Sequence, residues 1–133
     1  MKAYRGWKRK PAESQNEMSE NCIFCKIARA EIPCRKVYED DDLLAFHDIN
    51  PVAPVHFMLV PKQHLASLAE TDESHAALLG KMLVLAPELA KQQGLHNGFR
   101  TVINTGKGGG QEVFHLHVHI IGGGLIPPMV KRD

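Results

Sequence analysis

Neither charge sign dominates this chain: 16 lysines and arginines stand against 15 aspartates and glutamates, for a formal net charge of +1. That balance removes the electrostatic case for a nucleic-acid partner, which a basic excess over the whole domain would make. Long apolar runs are missing too. None approaches the roughly 20 residues needed to span a bilayer, so no membrane partner is expected. Basic residues crowd the start, at Lys2, Arg5, Lys8, Arg9 and Lys10. No hydrophobic segment follows them, as a secretory signal would require. Cysteine is scarce and odd in number, with only Cys22, Cys25 and Cys34. Three thiols without an export signal predict a reduced, cytoplasmic protein rather than a disulfide framework. There is no internal repeat, and 133 residues suffice for a single domain with a modest core.

What the chain does contain is a run of alternating character over residues 114–121, followed by Gly122, Gly123 and Gly124. A period of two reads as a β-strand, whose residues i, i+2 and i+4 share one face. His115, His117 and His119 then form a column of imidazoles spaced roughly 6.6 Å apart. Leu116, Val118 and Ile120 point the other way, into a core. A single half-buried histidine is ordinary. Three on one face waste burial and repel one another when protonated, which points to chemistry. Two chemistries suit the column: three neutral imidazoles on zinc with an open fourth position, or a central nucleophile whose neighbours move protons. Just upstream, residues 104–112 make a glycine-rich turn of the kind that lets backbone amides converge on an anion. Joined to the histidine column, it favours phosphoryl or nucleotidyl transfer.

The remaining pattern organises around that strand. Residues 1–20 are polar and aperiodic, a tail outside the domain with Trp7 as its one large apolar side chain. The domain spans 21–124, and 125–133, with Pro127 and Pro128, form an irregular end. A short helix over 21–29 carries Ile23, Phe24 and Ile27 on one face, with Asn21 as its N-cap. Residues 35–39 and 43–48 read as strands joined by an acidic turn, and 55–60, between Pro54 and Pro61, as a third. A helix over 71–93, capped by Thr71 or Asp72, buries Leu78, Leu79, Met82, Leu83, Leu85 and Leu89 and stops at Gly94. Pro87 predicts a kink or break within it. Residues 99–104 make the fourth strand and the histidine segment the fifth.

Smaller features carry weaker signals. Cys22-x-x-Cys25 is half of a zinc site, with eight histidines available to complete it. A redox dithiol lacks its usual βαβ setting here, and two buried free thiols are the plain alternative. His56, at the start of the third strand, is placed to face the histidine column. Asp48 is placed either to accept ribose hydroxyls or to cap a turn. His47, His75 and His96 stand out from nothing around them.

Taken together, these residues resemble the histidine triad (HIT) family, and within it the Hint-like purine nucleoside phosphoramidases of bacterial type. The match runs almost continuously over 22–124: Cys22 to Ile27, Glu31-Ile-Pro, Glu39-Asp-Asp, Ala45 to Ile49, Ala53 to Phe57, Val60-Pro-Lys, Asn104, Gly109-Gly-Gln and the triad. The resemblance implies an α+β fold, a five-stranded antiparallel sheet with one short and one long helix, paired in a homodimer as a ten-stranded sheet. It implies hydrolysis of the P–N bond of adenosine or other purine 5′-monophosphoramidates, with AMP or GMP as ligands and no cofactor needed for catalysis. By resemblance, His117 is the nucleophile that becomes nucleotidyl-histidine, with the His115 carbonyl holding its other nitrogen. His119 and His56 move the proton, and Asn104 contacts the sugar–phosphate side. Asp48 holds the ribose, Ile23, Phe24, Ile27, Phe46 and Ile49 form the purine slot, and the amides of Gly110, Gln111 and Glu112 meet the phosphate. Cys22, Cys25, His64 and His115 are implied as ligands of a structural zinc. Two further readings stay open: a zinc-dependent metallohydrolase using the triad, and a nucleotide-binding regulatory module with little turnover. The chain departs from the family pattern at Glu112, where many members have serine, at Pro87, and in lacking a C-terminal tryptophan.

Overall fold

The computed structural model describes residues 21–128. The expected tail over 1–20, with Trp7 and its basic cluster, and residues 129–133 lie outside the described residues. In chain order the elements are α1 (Ile23–Ala28), β1 (Lys36–Glu39), β2 (Leu43–His47), β3 (Val55–Pro61), α2 (Ala76–Gln92), β4 (Arg100–Val102) and β5 (Val118–Gly122). The strands form one antiparallel sheet in the order β1-β2-β3-β5-β4. Among the described residues no helix is long and apolar enough to cross a membrane.

β2 and β3 are near-continuous apolar runs because both faces of the sheet are covered. Leu43, Ala45, Phe57, Leu59, Val118 and Ile120 pack on one face against Met82, Ala86, Leu89 and Ala90 of α2. Leu44, Phe46, Met58 and Val60 point to the other face, where Cys22, Phe24 and Cys25 cover them. Each fully buried Phe or Leu in these layers contributes about 1.5–3 kcal/mol. The short helix therefore lies on the face opposite the long one, and the histidines open on its side.

Several local details differ from the sequence reading. The N-cap of α1 is Cys22, not Asn21: its sulfur accepts from the Cys25 amide at 3.3 Å. Of the two caps the sequence offers for the long helical segment, Asp72 is the one used, in a capping box with His75 around the 3-10 turn Glu73–His75. α2 then runs unbroken through Pro87. The carbonyl that Pro87 leaves without a donor belongs to Leu83, a residue on the exposed side of the helix. Leu83 accordingly leaves the buried stripe, and Ala86 and Ala90 complete it. Gly94, at φ +89°, takes the left-handed position after the helix, and the Leu95 amide reaches back to Ala90 O at 2.9 Å.

The fifth strand is shorter than its alternation suggests. Its ladder begins at Val118, opposite Leu59, and His115 and His117 precede it in sequence. There the chain leaves the sheet because the Leu116 amide donates to Leu65 O at 2.6 Å instead. The fourth strand contracts likewise, from 99–104 to Arg100–Val102.

Candidate active site

A cleft of about 280 Å³ opens between α1, the end of β2 and the glycine-rich turn. Eleven residues expected from the sequence line it: Ile23, Phe24, Ile27, Phe46, Asp48, Ile49, Asn104, Gly110, Glu112, His117 and His119. Its lining combines apolar side chains with imidazoles, the make-up of a pocket for an aromatic ligand with a charged group. A larger cavity of about 730 Å³ lies at the edge of the sheet, around Asn97 to Arg100 and Gly122 to Ile126. It holds neither a nucleophile nor a carboxylate, so the chemistry belongs to the smaller one.

His117 is held as a nucleophile requires. Its Nδ1 lies 2.7 Å from His115 O. A carbonyl only accepts, so Nδ1 carries the proton and Nε2 keeps a free lone pair. The ring packs edge-on against Phe24 at 5.1 Å and against His119 at 4.8 Å. Burial lowers its pKa, against the stabilising pull of the His115 carbonyl, so the ring is neutral near pH 7.

His56 and His119 are diagonal neighbours on the paired strands β3 and β5, opposite Ile121 and Met58 respectively, with His56 Nε2 at 2.8 Å from His119 Nδ1. The Val52 amide donates to His56 Nδ1 at 3.2 Å. Neutral His56 therefore carries its proton on Nε2 and donates it to His119, which leaves the proton of His119 on its own Nε2. Asp48 Oδ2 lies 3.3 Å from His56 Nε2, while Asp48 Oδ1 accepts the Asn50 amide at 2.8 Å. The turn-cap reading of Asp48 is met, and the same residue also lines the cleft.

Burial first, then the neighbouring imidazoles, pushes His119 down to about 4 from an ordinary 6.5. The unfolded chain thus binds the extra proton first as pH falls. Stability tied to His119 is fully present above 6.5 and is lost as pH drops through that value towards 4. The loss of urea resistance between pH 7 and pH 5 should accordingly be smaller in His119→Gln than in the native chain.

On the far side of His115 a second constellation forms. Its Nε2 donates to Pro61 O at 2.7 Å, which turns the lone pair of Nδ1 towards Cys22 Sγ at 3.2 Å, Cys25 Sγ at 3.4 Å and His64 Nδ1 at 3.2 Å. Cys25 Sγ is in turn 3.2 Å from His64 Nδ1. The four atoms lie within 4.8 Å of one another. Donors around a tetrahedral zinc, at about 2.0–2.3 Å from the ion, sit roughly 3.3–3.8 Å apart, so this set fits that ion. Burial, and then Cys22, pushes the Cys25 thiol up to about 12. A divalent cation is the group that makes a thiolate tenable there. His64 Nε2 remains a buried atom without a partner among the described residues.

This orientation corrects one open reading. The three triad imidazoles do not converge on a single metal, because His115 is turned to the thiols while His117 and His119 face the cleft. Asp48, His56 and His119 also come close together, but His56 uses its lone pair on the Val52 amide and presents a proton to the others. That trio is built to hold a proton.

The turn residues behave differently from expectation as well. The amides of Gly110 and Gln111 donate within the turn, to Lys107 O at 3.1 Å and Gly106 O at 3.0 Å. Gln111 is buried, and its side chain bonds Gly106 N, Ala66 O and Val113 O. It shapes the loop and does not line the cleft. Closing so tight a turn needs those donors, so they are not free for an anion. The sequence reading missed His47, Asn50, Met58 and Val113, which also line the cleft. For His47 the available signal is its place between Phe46 and Asp48.

A family model described as the HIT domain matches residues 29–124. The chain is 61% identical over 103 residues to Protein HitA of Neisseria gonorrhoeae, covering 77% of this chain and 96% of that protein. It is 50% identical over 103 residues to a 14 kDa zinc-binding protein of Zea mays, covering 76% and 80%. The crystal structure of a HIT family hydrolase from Legionella pneumophila Philadelphia 1 superposes with a TM-score of 0.78 at 45% identity, over 80% of this chain and 96% of that one.

Proposed function

We infer, from the premise that this chain belongs to the HIT domain family, that it hydrolyses the P–N bond of purine nucleoside 5′-monophosphoramidates through a nucleotidyl-histidine on His117. The observation that carries this reading is the tautomer lock on His117, which leaves Nε2 bare at the wall of the cleft. Nε2 attacks the α-phosphorus, the P–N bond breaks, and the leaving nitrogen takes a proton from His119. Water then attacks the phosphorus, the bond to His117 Nε2 breaks to release the nucleotide, and the water's proton goes to His119, so the ring acts first as acid and then as base. A bound phosphoryl anion favours the protonated imidazole that burial disfavours in the free cleft. Asp48 and Asn104 hold the ribose side, and Ile23, Phe24, Ile27, Phe46 and Ile49 hold the purine. Ile49 is 91% exposed in the free chain, so a seated base would cover it. Adenosine 5′-phosphoramidate incubated with the protein should yield AMP and ammonia; an unchanged substrate by phosphorus NMR would sink the reading.

The Cys22, Cys25, His64 and His115 set would hold zinc as a structural ion. With four protein ligands it has no open position, and it would tie α1 to the segments after β3 and before β5. The zinc-binding relative from Zea mays supports this. The reading also includes a homodimer, supported by the open edge of β4 and by Leu83 and Val84, 48% and 79% exposed on α2. Sedimentation should give a dimer at micromolar concentration, and a monomer would count against it.

A further inference from the structure

Glu112 stands on the ridge between two cavities. One is the histidine cleft; the other, of about 270 Å³, lies beside it, and the two share Ile23, Glu112 and Val113. The carboxylate is exposed, and no lysine or arginine pairs with it among the described residues. Such a charge on the rim of a phosphate-binding cleft repels the anion the cleft must hold. It penalises free nucleotide monophosphate, a dianion, more than a singly charged phosphoramidate. The penalty turns into a gain only when the far half of the ligand carries positive charge.

The adjoining cavity has room for such a half. Its walls include Ile23 and Phe114, 47% and 42% exposed, apolar surface on which a methylene chain can lie. Cys22 and His64 also reach this wall. Two thiolates and two neutral imidazoles around a divalent zinc would carry no net charge, so a zinc ion there would not offset the charge of Glu112.

We propose that Glu112 sets leaving-group specificity, and that the preferred substrate releases an amine carrying a second, cationic group seated in this neighbouring cavity. The proposal rests on the phosphoramidase reading and names its substrate class. No covalent step is added to that reaction.

The test compares two adenosine 5′-phosphoramidates of equal length, one N-aminobutyl and one N-hydroxybutyl. The native protein should favour the aminobutyl compound by about tenfold in kcat/KM, and about 1 M salt should erase most of that preference. Glu112→Gln should bring the ratio to within about twofold, and Glu112→Lys should invert it. AMP should bind Glu112→Gln more tightly than the native protein. A native ratio near one, or a ratio unchanged in Glu112→Gln, would overturn the proposal. Calorimetric binding of both compounds to His117→Ala gives the ratio without turnover. Failure of the reaction itself is therefore read apart from failure of the specificity.

Discussion

Alanine at position 117 is expected to lower turnover by about 10⁴-fold or more, while nucleotide affinity changes by less than about tenfold. The asymmetry follows from the geometry. His117 presents a lone pair to the cleft, and without Nε2 there is no atom to carry the nucleotidyl group. Affinity rests elsewhere, on the apolar slot around Phe24 and Phe46 and on Asp48 and Asn104. The ring does pack against Phe24, so a modest loss of binding is allowed for. His119→Ala and His56→Ala should cost less, about 10²–10³-fold, because water can substitute in part for a proton carrier. Single-turnover kinetics together with calorimetry for AMP read the two quantities separately. Turnover within tenfold of native in His117→Ala would reduce the chain to a nucleotide-binding module whose slow hydrolysis has another source.

The second large effect concerns the zinc proposed for Cys22, Cys25, His64 and His115. Protein purified without chelator or added metal should contain close to one equivalent of zinc. Stripping the ion, or introducing Cys25→Ser, should lower Tm on the order of 10–20 °C, as losing several kcal/mol from a domain of this size does. Cys25 is buried, Cys22 caps α1 with its sulfur, and His115 and His64 belong to two other segments. Without the ion, four converging donors stay in the interior and the helix loses its tether. Cys34→Ser, which touches none of these atoms, should shift Tm by only a degree or two. A zinc content below about a tenth of an equivalent, with both thiols freely titratable, would make Cys22 and Cys25 ordinary core cysteines.

The histidine column was readable from alternation alone because side chains keep a period of two even where the ladder stops at Val118. Nothing in that alternation shows that His115 donates to Pro61 and turns its back on the cleft. That fact depends on a carbonyl 54 positions away in sequence. The runs of β2 and β3 were legible as strands, but that both their faces are buried emerges only with the covers that α1 and α2 supply. Pro87 does not break the helix, because the donor it lacks costs one hydrogen bond on the exposed side of α2 rather than one in the core. Leu83 misled because periodicity locates an apolar face but not which edge of it the sheet covers. Cys22 as a cap, His75 in a capping box and Gln111 as the brace of its turn are all set by local backbone geometry that residue type only permits.

The covalent step on His117 is the claim on which the rest depends, and it is read directly by mass spectrometry of protein denatured by alkali during turnover of adenosine 5′-phosphoramidate. The expected result is a chain heavier by one adenylyl group, with the added mass on the peptide containing His117 and absent from His117→Ala. Rapid turnover with no adduct at any quench time, or an adduct on His119 or His56 instead, would contradict it.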